Sequence, residues 1–453
     1  MRRRFLDEQI NRAAVIGTCA GMTVILWGCG SATRQPAEIG YGPSPQLPAP
    51  ETSLIPTINV AKAVGWRDGA TPVAAPGTRV AAFARDLDHP RWIHVLPNGD
   101  VLVAESNAPA NPDEESGIKA AVMKQQKKKS GAGTPSANRI TLLRDQDGDG
   151  TVDLRTVFLT GLNSPFGMAL IGDDFYVACT DALMKFAYPT DATTITTSGT
   201  KVVDLPATVP NRHWTRSLIA NRDGTRLYVG VGSTSNVAEN GIDKEDGHAA
   251  IWEIDPRAGT RRLFATGLRN PVGMAWVPAT GALWTVVNER DELGNDLVPD
   301  HMTSVQDGGF YGWPYSYFGQ HVDPRPEPAR PDLVAKAIVP DYAVGSHTAS
   351  LGLAWSAGTS LPAPYHTGMF IGQHGSWNRK PLSGYAVIFV PFAQGRPAGN
   401  PMTVLSGFVD HQTSEAFGRP VGVALDRQGA LLVADDVGNV IWRVTAIPAG
   451  QVK

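Results

Sequence analysis

The sequence predicts an all-β fold: a six-bladed β-propeller of four-stranded antiparallel blades, preceded by an N-terminal signal or anchor and a Pro-rich linker. Three observations predict it. A strand–turn–strand unit recurs along the chain, turn-forming residues are abundant, and no amphipathic helical period of useful length separates the copies.

The recurring unit is clearest in four places: Asp88–Glu105 (DHPRWIHVLPNGDVLVAE), Asn163–Ala178 (NSPFGMALIGDDFYVA), Arg269–Val286 (RNPVGMAWVPATGALWTV) and Gly418–Ala434 (GRPVGVALDRQGALLVA). Weaker copies lead into Leu218–Val229 (LIANRDGTRLYV) and Leu351–Trp355 (LGLAW). Each reads as a polar lead-in turn, an apolar strand, a turn with Gly or Asp, and a second apolar strand. Further strands follow, such as Ala250–Ile254, Tyr385–Val390 and Val440–Val444. Positions Trp92, Gly167, Leu218, Gly273, Gly352 and Gly422 align, 51 to 79 residues apart. Six hairpin-led units, none able to bury both faces alone, call for closure into a ring. Val80–Phe83 is the candidate strand to close it with the C-terminal unit. A β-sandwich accommodates the strands but does not predict a repeat.

Gly 48 and Pro 35 among 453 residues, with charged residues at 18%, suit a turn-rich β protein. The formal net charge of -3 gives no reason to expect a nucleic-acid partner.

Residues 1–31 have the layout of an export signal: Arg2–Arg4, an apolar run from Ala13 to Trp27, then Gly28, Cys29, Gly30 and Ser31. Leu26–Cys29 (LWGC) resembles a lipobox, from which Trp27 departs. A lipoprotein, an ordinary signal peptide and an uncleaved anchor all stay open. The expected location is the periplasm or the cell envelope, with any membrane attachment only through the N-terminus. Cys179 is the one cysteine beyond the signal, so no intrachain disulfide framework is expected. Residues 32–60 read as a flexible Pro-rich linker and 61–449 as the propeller domain. An insertion at 107–138, with Asp113–Glu115 and Lys124–Lys129, reads as a solvated mobile loop, a lid or docking loop being the alternative.

In a propeller, equivalent turns converge on one channel. The lead-in turns carry Asp88 and His89, Asn163 and Ser164, Arg269 and Asn270, and Arg419; Arg212 and His213 precede the third unit and His347 the fifth. Turns before proline favour polar residues in any protein. Two Arg, an Asn and one or more His around one mouth suit a small anionic ligand.

Arg212–Leu218 (RHWTRSL), Leu268–Ala275 (LRNPVGMA), Asn288–Leu293 (NERDEL), Gly308–Pro314 (GGFYGWP), Gly375–Arg379 (GSWNR) and Gly418–Gly422 (GRPVG) carry a family resemblance. In this order, from about Thr78 to Val444, the chain resembles the pyrroloquinoline-quinone-dependent glucose/sorbosone dehydrogenases, more their sorbosone branch. The resemblance implies oxidation of a small sugar or aldehyde by hydride transfer to the quinone, and an external electron acceptor such as a quinone or cytochrome. It implies His213 as general base, since an imidazole with an ordinary pKa of about 6.5 accepts a proton near neutrality. Arg269 would stabilise charge on the reacting quinone oxygen. Asn163, Asn270 and Arg419 would contact the cofactor. Arg379 would be a further cofactor cation, with Lys380 and His374 as alternatives. The family's Ca²⁺ takes backbone carbonyls among its ligands; Asp291 and Glu292, where the glucose branch has Gly-Pro, and nearby Asp296 are the candidate side chains.

Asp145–Asp153 (DQDGDGTVD) has the start of a calcium loop but Thr156 at its twelfth position, so a hairpin turn is expected. Gly230 and Gly232 lack the third glycine and the helix of a dinucleotide site. Two other functions compete: a calcium-dependent propeller lactonase or esterase, which needs acidic and amide groups on the axis, and a non-catalytic binding propeller.

Overall fold

A computed structural model describes residues 32–33, 35–51, 58–109 and 118–448; the expected signal and lipobox lie outside the described residues. The architecture is all-β, built from antiparallel sheets with four strands each in a meander. Sheet I is Pro90–Val95, Val101–Glu105, Arg139–Arg144 and Leu154–Leu159; sheet II is Gly167–Ile171, Asp174–Ala178, Ala182–Ala187 and Thr200–Asp204. Sheet III is Arg216–Ala220, Leu227–Val231, Ala250–Asp255 and Thr260–Thr266. Sheet IV is Pro271–Val277, Ala282–Val287, Pro299–Ser304 and Tyr342–Ser346; sheet V is Ser350–Trp355, Gly368–Gln373, Ala386–Ala393 and Met402–Ser406. Sheet VI joins Pro420–Leu425, Leu431–Asp435 and Val440–Ala446 to the early strand Thr78–Ala84, paired Val80 to Val444. Short strands extend some outer edges: Gly309–Phe310 lies parallel on sheet III, and Tyr41–Gly42 and Val73–Ala74 lie antiparallel on sheets IV and V.

Burial follows radial position. The second strands Val101–Glu105 and Leu431–Asp435 are buried throughout, because a neighbouring sheet covers each face. The outermost Thr260–Thr266 and Leu154–Leu159 are half exposed and carry polar residues. Aromatic rings fill the space between sheets, as where Phe158 meets Phe175 edge-on at 5.4 Å.

First strands touch their neighbours in the order I to VI, and that of VI touches that of I. The approach is backbone to backbone, which explains the glycines of the repeat. A Cβ on Gly352 would lie 2.2 Å from the Val421 carbonyl oxygen, and one on Gly273 2.4 Å from the Leu353 nitrogen. Gly230 belongs to the same set, 2.4 Å from the Pro271 carbonyl oxygen by the same measure.

Two segments differ in detail from their sequence reading. The insertion contains a helix, Ile118–Lys129, rich in the good helix formers Lys, Gln and Ala, with Lys127–Lys129 at its C-terminal end. Asn107 ties the following turn back, donating from Nδ2 to the carbonyls of Ala132 (3.2 Å) and Thr134 (2.6 Å). The described part of 32–60 lies against the ring, because its backbone finds partners there and Val60 is buried. Among the described residues no helix is long and apolar enough to cross a membrane.

Gly352→Ala is expected to destabilise the fold by about 1–3 kcal/mol, since the new methyl meets a main-chain oxygen that cannot move alone. A lowered guanidinium midpoint with unchanged slope would show it, and an unchanged midpoint would contradict the strand spacing.

Candidate functional site

First strands start, and second strands end, on the same face of the ring, because consecutive strands run antiparallel. The polar residues at both positions therefore share one mouth. His213 stands before the first strand of sheet III, Arg269 and Asn270 before that of sheet IV, and Arg419 before that of sheet VI. His374 and Asp436 follow the second strands of sheets V and VI.

On one side of the mouth, His213 Nδ1 lies 2.8 Å from the Ser233 carbonyl oxygen and 3.1 Å from Ser233 Oγ. A carbonyl only accepts, so Nδ1 carries the proton and Nε2 keeps its lone pair. Nε2 has no hydrogen-bond partner among the described residues, and His213 is only partly buried. Desolvation and the nearby Arg269 guanidinium hold its pKa well below the usual value, so the ring is neutral at pH 7. Gly232 makes room here: a Cβ would lie 2.3 Å from Asn270 Oδ1 and 2.5 Å from His213 Cβ.

Arg269, 2% exposed, is held in place by acceptors on three neighbours. It donates to the carbonyl of Glu289 (2.7 Å), to the carbonyl and Oδ1 of Asn288 (both 3.2 Å), and to the carbonyl (3.2 Å) and Oδ1 (3.1 Å) of Asn236. Asp291 Oδ2 is 3.6 Å away, and Asp291 Oδ1 is 3.4 Å from His347 Nδ1. His347 Nε2 donates to the Gly294 carbonyl (2.9 Å). Burial alone would raise the pKa of Asp291; hydrogen bonding from His347 and the charge of Arg269 outweigh it and hold the carboxylate ionised. Burial opposes protonation of His347, but the same Asp291 contact raises its pKa.

The other side centres on Asp436. It pairs with Arg91 and with His374 Nε2 at 2.8 Å, and His89 Nε2 stands 3.6 Å away. Burial would raise the pKa of Asp436, but His374, His89 and Arg91 together hold it well below normal. Desolvation pushes His374 down to about 3, so it acts as a neutral donor. Arg91 lies 5.7 Å over the Trp214 ring, next in sequence to His213, and this joins the two sides. Arg419 donates from Nε to the His374 carbonyl and from Nη2 to the Gly375 carbonyl, both 2.9 Å. Its Nη1 has no acceptor among the described residues. Arg91 Nε, Asn270 Oδ1 and Asp436 Oδ1 are buried without a partner.

His213, Arg269, Asn270, Arg419 and Asp291 thus come together, whereas four other expected site residues take different places. Asn163 is exposed at the rim, its carbonyl accepting from the Thr180 amide (3.1 Å). Arg379 is buried, and Nη2 pairs with Asp296 Oδ1 at 3.0 Å while Nε donates to the Asn295 carbonyl (3.0 Å). That pair ties two loops together and leaves neither partner turned to a ligand. Glu292 is exposed, 4.0 Å from Arg325. The three carboxylates proposed for calcium each face a cation and do not converge. Among the described residues the carboxylate trio close enough to hold a metal is Asp145, Asp147 and Asp149. These lie in the hairpin turn between Arg139–Arg144 and Leu154–Leu159, where Asp145 accepts from the amides of Gly148 and Gly150, both at 2.8 Å.

The sequence reading did not pick out Arg91 and Asp436. Their signal was present in the repeat: Asp436 follows the second strand Leu431–Asp435 (LLVAD), equivalent to Val101–Glu105 (VLVAE), and Arg91 stands at the start of the first strand Pro90–Val95; both positions face the same mouth.

The TrAA12-like family model matches residues 72–307 and 332–446. The chain belongs to the TrAA12-like family. It is 24% identical over 278 residues to the pyrroloquinoline quinone-dependent sugar dehydrogenase of Hypocrea jecorina, covering 54% of this chain and 57% of that one. The chain spans about three fifths of the length of the first curated relatives it matches, 62% and 57%. The holo form of the pyranose dehydrogenase PQQ domain from Coprinopsis cinerea superposes with a TM-score of 0.67 at 20% identity, over 85% of this chain and 100% of that one. The calcium structure of Trichoderma reesei carbohydrate-active enzyme family AA12 gives 0.67 at 19% identity, over 86% and 99%.

In this family member the mouth holds Arg91, Arg269 and Arg419 nearly out of water, opposed by Asp436 and Asp291. Asp436→Ala would leave Arg91 buried and unpaired, an expected loss of about 3–5 kcal/mol in guanidinium unfolding, with the apolar double variant Arg91→Met/Asp436→Leu recovering most of it. A single-variant loss under about 1 kcal/mol would contradict the pairing.

Proposed function

We propose that this chain is a six-bladed propeller that oxidises a sugar or a sugar-derived aldehyde with pyrroloquinoline quinone, His213 acting as general base. The observation that carries the reading is the state of His213: a neutral imidazole at the mouth, its Nδ1 proton committed to Ser233 and its Nε2 lone pair free. The named relatives support the same reading.

The donor set fits a planar polycarboxylate. Buried Arg91 Nε and the spare Nη1 of Arg419 offer N–H donors, and the unpaired Asn270 Oδ1 offers an acceptor on the His213 side of the mouth. When bound, the quinone supplies the carbonyl carbon that accepts hydride. His213 Nε2 takes the proton of the substrate hydroxyl, that of the hydrate where the substrate is an aldehyde, as that hydride leaves. Arg269 is rigidly placed by Asn236, Asn288 and Glu289, and puts fixed positive charge beside the base where negative charge develops. It also keeps the imidazole neutral before the proton arrives. Calcium enters through the calcium structure of the family neighbour. Here Asp291 and Asp296 already face cations, and the Asp291 carbonyl accepts from Arg325 (3.0 Å) and Asn236 (3.2 Å), so this segment does not fit as the ion's ligand set. An external electron acceptor would then reoxidise the cofactor. We place the protein outside the cytoplasm on the strength of its N-terminal signal pattern.

Purified apoprotein with pyrroloquinoline quinone and Ca²⁺ is expected to reduce a dye in the presence of aldoses, sorbosone or simple aldehydes. No cofactor binding and no turnover would sink the reading. His213→Ala is expected to lose turnover roughly 10²- to 10⁴-fold while cofactor affinity changes little. Because the His213 pKa is lowered, the acid limb of kcat/KM should lie below pH 6.5, with full activity above it; a limb at or above 6.5 would exclude this imidazole as the base.

A further inference from the structure

We propose that the described residues among 33–66, of which those up to 60 are expected from composition to be a flexible linker, form a strap that positions the cofactor-side loops of sheets IV, V and VI. This rests on the reading of the mouth as a quinone site. The loops concerned are 288–298, which carries Asp291; 374–385, whose carbonyls hold Arg419; and the 435–438 turn, which carries Asp436.

The strap crosses all three on the mouth face. Thr33 bridges the first two: its amide donates to the Lys380 carbonyl at 2.9 Å and its hydroxyl to Asp296 Oδ2. Tyr41–Gly42 adds a strand to Tyr342–Ser346, and Ser346 Oγ in turn donates to the Asp296 carbonyl at 2.8 Å. Leu47 packs against Leu293, Leu297 and Val298, and the Glu51 amide donates to the Leu293 carbonyl at 3.0 Å. Asn59 grips the second loop twice, from its amide to the Trp377 carbonyl and from Nδ2 to the Arg379 carbonyl, both 2.8 Å. Trp66 reaches the third: its indole N–H donates to Asp435 Oδ2 at 2.7 Å, while Asp435 Oδ1 accepts from the Arg419 amide at 2.8 Å. The Trp66 ring is fixed edge-on against Phe408 (5.6 Å) and Trp442 (5.4 Å).

These bonds matter because the loops are connections between strands, without a ladder of their own. Arg379 and Asp296 already tie the first loop to the second, and the strap adds bonds to both members of that tie. Freed of the strap, the loops sample more conformations, and the cofactor must order them on binding. Thr33, Asn59 and Trp66 are thus positioning residues: they touch the loops that form the site, not the reacting atoms.

The test uses the full chain with Asn59→Ala and Trp66→Phe, singly and combined. Phe158→Leu, in the core between sheets I and II, serves as a control that lowers stability far from the strap. Hydrogen exchange of the apoprotein is expected to quicken roughly ten-fold in the amides of 376–383 and 435–438 for the combined variant but not for the control, the loss of about one net hydrogen bond. Titration with pyrroloquinoline quinone and Ca²⁺, well below the melting temperature, should show affinity weakened roughly ten-fold in the combined variant and within two-fold of native in the control. Unchanged exchange in those loops overturns the proposal. So does quickened exchange with native affinity, which would make the strap scaffold only. If the native chain binds no quinone, the functional reading fails, and the exchange result alone still decides whether the strap orders the loops.

Discussion

Everything at the mouth depends on how closely the first strands approach one another at the centre of the ring. At Gly273, Gly352 and Gly167 the neighbouring backbone stands where a side chain would be, within 2.4 Å of the missing Cβ. That spacing draws the lead-in turns of all the sheets together, so groups from distant parts of the chain meet within hydrogen-bond range. The same steric rule serves the site directly at Gly232, whose missing side chain leaves room for His213 and Asn270. Closure is the other half of the constraint. Thr78–Ala84 completes the last sheet beside Val440–Ala446, so each of sheets I to VI has its four strands.

Crowding polar turns into one place creates an electrostatic demand. Arg91, Arg269 and Arg419 are all nearly buried, and burial penalises each charge. The protein meets this mainly with main-chain carbonyls, which fix a guanidinium without cancelling its charge. Asp436 and Asp291 supply two carboxylates, and each is further engaged by a histidine. The remaining positive field and the unpaired buried donors favour an anionic guest. The same field keeps His213 neutral, so on the proposed function one arrangement would both attract the ligand and prepare the base.

How much of this was legible in the sequence varies with the kind of residue. The repeat gave the sheets and the aligned glycines, and the lead-in turns gave His213, Arg269, Asn270 and Arg419. Asp436 follows a second strand, which antiparallel pairing returns to the mouth, and Arg91 lies just beyond the lead-in turn of its first strand; neither position belongs to the turns whose polar residues were legible. Arg379 and Asp296 were expected in the site from the family resemblance, the first as a cofactor cation and the second as a carboxylate near the candidate calcium segment. The sequence does not show that they are opposite ends of one ion pair, since 83 residues separate them. Asn163 shares the turn pattern of Asn270, yet its turn leaves it exposed.

The strands, their order and the ring follow from sequence alone, because apolar alternation and glycine spacing are local properties that repeat. The residue types needed at the mouth follow in the same way. Which of those residues face one another, and which cations are already spent on carboxylates, was decided only by tertiary structure. The physical reason is that pairing is a matter of distance between loops, and loop paths are set by long-range bonds such as those of Thr33, Asn59 and Trp66. Composition marked that N-terminal stretch as slack; the backbone partners offered by three sheets made it part of the wall.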